Sequence, residues 1–278
     1  LGGALFVLYG LNVLRISALI LIGHLGGRDV AQAGFHSQAG WIAFSGVALG
    51  LTFLGRVFAD RSGTDATGAG HEDSATEPLL VPFLAMVAAG MFAGAFSGGF
   101  EWLYGLRVCA AASALWYYRR ELRELPLKAP GAPAVIAGAA AFVVWIALER
   151  LLTGTVGTGQ PGPAEIESAL GRWWVAVRLT GAVITVPIVE ELAFRGYLLR
   201  RFQSADVDRV AFHSRTVFAV AASSALFGAL HGSRWVAGIA AGVLYAWAST
   251  RRGNLSDAVV AHALTNALIS GLVLFMGA

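Results

Sequence analysis

Residues 257–277 read DAVVAHALTNALISGLVLFMG. After the aspartate, the only ionisable side chain in this run is one histidine, and the run is long enough to cross a bilayer core of about 30 Å as a helix. Its polar and apolar residues do not alternate, as they would in a strand of a membrane barrel. Because lipid offers backbone groups no hydrogen-bond partner, a run of this kind is expected to be helical. The segment therefore predicts a membrane-spanning α-helix.

Similar apolar runs recur along the whole chain. They lie at residues 3–23, 39–56, 79–97, 100–118, 132–153, 173–190, 215–231, 234–250 and 257–277. Hydrophobic residues make up 56% of the chain and charged residues 13%, and the mean hydropathy is +0.66, values that exclude an ordinary water-soluble domain. We predict an all-α fold, a polytopic transmembrane helix bundle of about nine spans. Gly238 and Gly242 form a GxxxG pattern that predicts close helix packing.

Basic residues follow the even-numbered predicted spans. They are Arg119, Arg120, Arg123 and Lys128 after the fourth, Arg200 and Arg201 after the sixth, and Arg251 and Arg252 after the eighth. The positive-inside rule places these loops in the cytoplasm and the loops at 24–38, 154–172 and 231–234 outside. No separate basic domain is present in the sequence, so no nucleic-acid partner is expected. We expect a multi-pass integral protein, surrounded by membrane lipid, in a bacterial inner membrane.

A proline-rich break separates two predicted domains. Pro126, Pro130 and Pro133 lie within eight residues and end the charged helix before them. We place the boundary there, which gives domains at residues 1–125 and 126–278. Because the chain starts at Leu1 directly in an apolar run, we expect that the beginning of a longer protein is missing.

The sixth run ends in VEELAFRG, residues 189–196. Ionisable side chains inside a span cost about 2.5–3.5 kcal/mol each on insertion scales, so each is a functional candidate. Glu191 and Arg195 are spaced i and i+4, the favourable order for a helical ion pair, whereas Glu190 is rotated by about 100°. Pro187 removes a backbone donor and can kink the helix beside the glutamates. The alternative explanation of this cluster is an interfacial set of charges.

Two later runs each carry a polar pair at helical spacing. Phe227 and His231 share one helix face, and His262 and Asn266 share another. Peptide hydrolysis needs a base for water, a group that positions the water, and donors for the tetrahedral oxyanion. The glutamates, histidines and asparagine supply each of these. Taken singly, each motif has a structural alternative. His231 could be a histidine at the membrane interface, and His262 and Asn266 could form hydrogen bonds that hold helices together.

The order of these motifs resembles that of a known family. The sequence Glu190-Glu191, Arg195, then Phe227 and His231, then His262 and Asn266 is similar to the EExxxR, FxxxH and HxxxN signature of the CAAX protease and bacteriocin-processing (CPBP, or Abi) family, which includes the Ras-converting prenyl endopeptidases. The resemblance covers residues 133–278.

The resemblance implies a role for each motif residue. Glu190 and His231 would activate water, while His262 and Asn266 would bind the oxyanion. Glu191, Arg195 and Phe227 would be supporting residues. No cofactor is preferred, and Zn²⁺ held by Glu190, His231 and His262 is the alternative, although the chain has no HExxH motif.

The N-terminal half resembles the end of an exosortase. Asn12-Val13-Leu14-Arg15 and the segment 34–41, which contains His36, are similar to the later motifs of these Cys/Arg/His enzymes, which process proteins with a C-terminal sorting signal. Arg15 and His36 match the arginine and the histidine. The cysteine is absent, because Cys109 lies after both, so the site is incomplete. An N-terminally truncated fusion of an exosortase to a CPBP protease explains both halves.

These observations favour an intramembrane endopeptidase. It would hydrolyse peptide bonds of a membrane-associated protein or peptide by glutamate- and histidine-activated water, with coupling to protein sorting if the substrate carries a C-terminal sorting signal. One rival is a non-catalytic membrane scaffold or immunity protein. Another is a transporter that uses Glu190 and the histidines as a proton relay.

Overall fold

The computed structural model describes residues 76–96, 101–125, 127–154 and 169–276, together with seven positions between Val13 and Leu25. The chain divides into two compact units, Leu1–Ser74 with Val87–Arg107, and Ala75–Met86 with Val108–Ala278. All the candidate site residues of the C-terminal half lie in the second unit.

Every regular element in the described ranges is a helix, which confirms the all-α prediction. The α-helices are α1 Thr76–Ala95, α2 Tyr104–Tyr117, α3 Arg119–Glu124, α4 Ala132–Thr153, α5 Ala169–Thr180, α6 Val186–Glu191, α7 Leu199–Arg201, α8 Val217–Ala229, α9 Trp235–Arg252 and α10 Leu255–Met276. Three helices of the described chain are long and apolar enough to cross a membrane: Thr76–Gly94, Ala132–Thr153 and Leu255–Phe275. Val217–Ala229 is apolar but shorter. The predicted count of about nine spans is not confirmed.

The glutamate pair lies inside a long helical stretch rather than at its end. From Ala169 to Arg201 the backbone stays helical, and π-helical segments at Gly181–Thr185 and Leu192–Leu198 bracket α6. Because π-helical turns are rare and frequently occur at functional sites, these two segments set α6 apart from an ordinary span. Glu191 and Arg195 are paired and buried within the protein, so neither charge needs contact with water. The helix can therefore continue past them.

Small residues bring the helices of the second unit close together. α8 and α9 form a helical hairpin, and α9 and α10 both pack on α4. A Cβ on Gly238 would come within 2.9 Å of Gly228 Cα, and one on Gly242 within 3.0 Å of Ser224 Cβ. The GxxxG pattern is therefore a packing face of α9 against α8, as predicted.

Gly228→Ala is expected to destabilise the protein. A Cβ at this position would lie 2.6 Å from the Trp235 carbonyl oxygen and 2.5 Å from Ile239 Cγ1, so the α8–α9 hairpin must open. Overpacking of this kind costs about 1–3 kcal/mol. The measurement is the thermal unfolding midpoint in detergent. Gly271→Ala is the matched control, because no described atom lies within 4 Å of its added Cβ; equal midpoints for the two variants would contradict the expectation.

Polar side chains at the start of α10 fix the proline-rich segment. Asn254 accepts a hydrogen bond from the Lys128 amide and donates one to the Lys128 carbonyl, at 3.0 and 3.1 Å. Asp257 Oδ1 accepts from the Gly131 amide at 2.7 Å and pairs with Arg252 at 3.3 Å. The segment that enters α4 is therefore held against the α9–α10 turn.

Candidate active site

A buried ion pair joins the glutamate helix to two neighbours. Glu191 Oε1 accepts from Arg195 Nη1 at 3.0 Å and from His262 Nδ1 at 2.9 Å, and both partners of the ion pair are almost fully buried. Arg195 Nη2 also donates to the Gly242 carbonyl on α9 at 2.8 Å. The predicted i, i+4 pair is confirmed. It holds α6, α9 and α10 together through one carboxylate and one guanidinium.

Glu190 has a different environment from its neighbour. It is also buried, with 8% of its surface exposed, and its Oε2 has no hydrogen-bond partner among the described residues. It lies within range of electrostatic interaction with His262, Glu191 and Arg195. A buried carboxylate oxygen without a donor is costly for a purely structural residue, because buried polar atoms are normally satisfied. Oε2 of Glu191 also lacks a described partner, but Oε1 of Glu191 accepts from two donors, whereas no described hydrogen bond reaches Glu190. Of the two glutamates, Glu190 is therefore the one whose carboxylate is not committed to a bond within the described protein.

Phe227 lies at the centre of the cluster. Its ring contacts the rings of His231 and His262, with centroids 4.7 and 5.6 Å away. Phe194 and Tyr245 pack against it edge-on at 5.2 and 6.0 Å. The Arg195 guanidinium carbon lies 4.4 Å from the ring centroid, a favourable cation–π distance. Phe227 thus gathers residues from the π-helical segment Leu192–Leu198, from the turn after α8, from α9 and from α10 around one ring.

The hydrogen bond of His231 determines its tautomer. Its Nδ1 lies 2.8 Å from the Phe227 carbonyl oxygen, which can only accept, so Nδ1 carries the proton. In neutral His231, Nε2 is then a proton acceptor. The Trp145 ring from α4 packs edge-on against the imidazole at 5.3 Å. The imidazole ring is therefore held by the Phe227 carbonyl and by Trp145, and Nε2, its unprotonated nitrogen, makes neither of these contacts.

His262 is positioned by Glu191 and by a tyrosine. Its Nδ1 faces the Glu191 carboxylate, and its ring stacks on Tyr245 with centroids 4.9 Å apart and an interplanar angle of 17°. Nδ1 is again the protonated nitrogen. Nε2 accepts in the neutral ring and donates in the imidazolium form. Asn266, one turn further along α10, donates from Nδ2 to the carbonyl of Ala182, within the first π-helical segment, at 2.8 Å.

The structure brings most of the predicted residues together. Described contacts join Glu191 to Arg195 and His262, and join the Phe227 ring to Arg195, His231 and His262. Glu190 lies within electrostatic range of Glu191, Arg195 and His262, and Asn266 joins α10 to the helical stretch that carries the glutamates. In the described part of the chain no hydrogen bond links Glu190 directly to His231. Arg15 and His36 lie outside the described residues, so the exosortase-like pair stays a prediction.

Sequence reasoning missed several residues that shape the site. Tyr245 stacks on His262, Trp145 packs on His231, and Phe194 packs on Phe227. Tyr245 is the sole tyrosine of α9 and stands among small residues, which is a weak signal. Nothing in the sequence singled out Trp145 as a site residue. Tryptophan is common in apolar runs, and His231, against which Trp145 packs, lies far away in sequence.

The predicted alternative at this site is a zinc ion. In the described ranges, no group of three or more His, Cys, Asp or Glu side chains is arranged to hold a metal ion. The Nδ1 atoms of both histidines are bonded within the protein, which leaves Nε2 of each ring without a described bond. Zn²⁺ on Glu190, His231 and His262 therefore stays an alternative that removal of metal by a chelator tests.

A second ion pair fixes the turn that carries His231. Arg234 Nε donates to Glu149 Oε1 at 2.7 Å, and the Arg234 amide donates to the His231 carbonyl at 3.0 Å. Glu149 and Trp145 are one turn apart on α4, so the same helix face contacts both the His231 ring and its turn. We expect Glu149 to be a positioning residue for His231.

Glu149→Gln is expected to expose His231 to chemical modification. The charge-assisted bond to Arg234 contributes about 1.5–3 kcal/mol, so its loss should raise the reaction rate of His231 with a histidine-acylating reagent by about tenfold. Mass spectrometry of the modified peptide gives this rate. Glu121→Gln on the exposed α3 is the control and should leave it unchanged. An unchanged rate in Glu149→Gln would show that the ion pair does not position the ring.

Comparison with known proteins finds one family. Residues 172–268, which are 97 of the 278 residues, match the model of the Rce1-like family, described as type II CAAX prenyl endopeptidase Rce1-like. The match contains all seven predicted site residues of the C-terminal half. It supports a CAAX-protease-like peptidase in general and, with the apolar helices, an integral membrane protein. Searches of curated proteins and of solved structures found no match.

Proposed function

We propose that the chain is an intramembrane endopeptidase of the CPBP type that uses Glu190 as its base. The observation that carries the proposal is the buried Glu190 carboxylate, which takes part in no described hydrogen bond although it belongs to a cluster in which Glu191, Arg195 and both histidines are bonded. The similarity of residues 172–268 to the Rce1-like family supports a peptidase rather than another use of this carboxylate.

In the proposed reaction, Glu190 removes a proton from water while His231 Nε2 accepts a hydrogen bond from the same water and orients it. The water oxygen bonds to the peptide carbonyl carbon, and the tetrahedral oxyanion receives hydrogen bonds from protonated His262 Nε2 and from Asn266. Glu190 then gives its proton to the amide nitrogen as the C–N bond breaks. The products are a carboxylic acid and an amine.

Glu191 and Arg195 have a supporting role in this proposal. Glu191 accepts from His262 Nδ1 and so fixes the orientation of the ring, whose imidazolium form can donate through Nε2. Arg195 neutralises the second carboxylate of the pair, so that two adjacent glutamates can be buried together. Phe227 fixes the two imidazole rings relative to each other.

We further propose that residues 126–278 form the protease domain and residues 1–125 derive from an exosortase. Substrate would be a membrane-associated protein or peptide, with a C-terminal sorting signal if that second assignment holds. The protein would be a multi-pass component of a bacterial inner membrane, with the basic span ends in the cytoplasm.

The proposal is tested by incubating the purified chain in detergent with a membrane-peptide library in ¹⁸O-enriched water. Hydrolysis by activated water should yield products whose new carboxyl group carries ¹⁸O, with or without a chelator. Product that is lost on chelation would replace the glutamate mechanism with a metal-dependent one. If no peptide is cleaved, reconstituted vesicles test the transporter alternative, for which proton flux without cleavage is the expected sign.

A further inference from the structure

An apolar groove with a cationic end lies outside the candidate active site. It has a volume of about 460 Å³ and runs between the start of α8 and the second half of α9. Its apolar wall consists of Val217, Val220 and Ala221 on α8 and Val243 and Trp247 on α9. Its polar end is formed by Arg215 and Thr216. The volume lies within the range of about 300–1,000 Å³ that small-molecule sites occupy.

The positions of the lining residues explain why the groove exists. Val217, Val220 and Ala221 are spaced i, i+3 and i+4, and Val243 and Trp247 are spaced i and i+4, so each set forms a stripe on one helix face. The side chains are short except for Trp247. Val217 is 89% exposed and Val243 is 42% exposed in the described structure, so neither stripe is filled from within the second unit.

Arg215 is fixed at the polar end of the groove. Its Nη1 donates to Thr250 Oγ1 at 3.1 Å, and Thr250 Oγ1 in turn donates to the Ala246 carbonyl at 2.7 Å. No carboxylate of the described chain pairs with Arg215. Arg251 ends α9 at the same end of the hairpin, where the next residue, Arg252, is paired with Asp257, so Arg251 adds to the positive charge of Arg215 at this end. A guanidinium that keeps unused donors beside an apolar groove favours an anion that carries an apolar chain.

We propose that this groove binds one anionic phospholipid, with its phosphate at Arg215 and the first part of an acyl chain along the α8–α9 stripes. The apolar residues from 217 to 221 extend over about one helical turn, or about 5 Å, which suits the chain segment next to the headgroup. Basic sites between membrane helices bind anionic headgroups in this way. The site does not depend on the proposed peptidase activity.

The test is the thermal unfolding midpoint of the full, delipidated chain in detergent, titrated with phosphatidylglycerol or with phosphatidylcholine of the same acyl chains. Phosphatidylglycerol should raise the midpoint at lower concentration than phosphatidylcholine. Arg215→Gln should weaken the phosphatidylglycerol effect by about fivefold, the loss expected for one basic contact. Arg209→Gln is the matched control, because Arg209 lies in the preceding loop with its side chain 87% exposed.

A second variant tests the apolar part of the site. Ala221→Phe, at an exposed position, should fill the groove and weaken phosphatidylglycerol binding while Arg215 stays in place. Equal effects of the two lipids, or an unchanged effect in Arg215→Gln, would overturn the proposal. The same shift with glycerol phosphate alone would also overturn it, because the site would then bind a free anion and not a lipid.

Discussion

Glu190→Gln is expected to reduce peptide cleavage by about 10²–10⁴-fold, the contribution typical of general acid–base catalysis. The amide has the shape of the carboxylate but cannot take a proton from water. Because Glu190 Oε2 has no partner among the described residues, the substitution breaks no described bond at that atom. The measurement is kcat/KM for one cleaved peptide, with the unfolding midpoint recorded in parallel.

Two further variants separate chemistry from folding at this position. Glu121→Gln on α3 makes the same chemical change on the surface and should retain full activity. Glu190→Asp keeps a carboxylate on a side chain that is one methylene shorter, so we expect activity between that of the wild type and that of Glu190→Gln. Cleavage by Glu190→Gln at the wild-type rate would remove Glu190 from the mechanism, whatever the stability of the variant.

Arg195→Met is expected to lower the free energy of unfolding by about 3–5 kcal/mol, the cost of leaving one member of a buried ion pair without its partner. Glu191 would keep only His262 as a partner, in a site with no exposed surface. The Gly242 carbonyl would lose its side-chain donor, and Phe227 would lose the cation over its ring. Equilibrium unfolding in mixed micelles measures the change.

The double variant Glu191→Gln/Arg195→Met identifies the cause of this loss. Glutamine still accepts from His262 Nδ1 but brings no buried charge, so the double variant should be more stable than Arg195→Met alone. Arg209→Met is the surface control and should change stability by less than about 0.5 kcal/mol. If Arg195→Met behaves like this control, or the second substitution adds to the loss, the buried charge is not what stabilises this part of the fold.

Several features of the molecule were predictable from local sequence alone. The bounds of α4, residues 132–153, coincide with the fifth predicted span, because an apolar run between a proline-rich segment and Gly154 leaves few other boundaries. The Glu191–Arg195 pair follows from i, i+4 spacing in any helix, and the packing face of Gly238 and Gly242 follows from the need for small residues where helices approach closely.

Other features depend on contacts between segments far apart in sequence. The sixth run was expected to end near Glu190, but the helix continues to Arg201. Arg195 is buried and paired with Glu191, so it needs no contact with water and the helix does not have to stop before it. The different environments of Glu190 and Glu191 arise in the same way. Adjacent in sequence, they diverge because Oε1 of Glu191 accepts from Arg195 and from His262 of α10, whereas no described hydrogen bond reaches Glu190.

The sequence by itself determined the helical class, the presence of helices long and apolar enough to cross a membrane, and the residue types that the candidate site contains. These follow from local properties: run length, hydropathy and helical spacing. Only the tertiary structure decided which nitrogen of each histidine is protonated, that Phe227 lies at the centre of the site, and that Trp145, Tyr245 and Glu149 support it. Those outcomes depend on which helices pack together, and a sequence pattern that repeats within one helix carries no information about its neighbours.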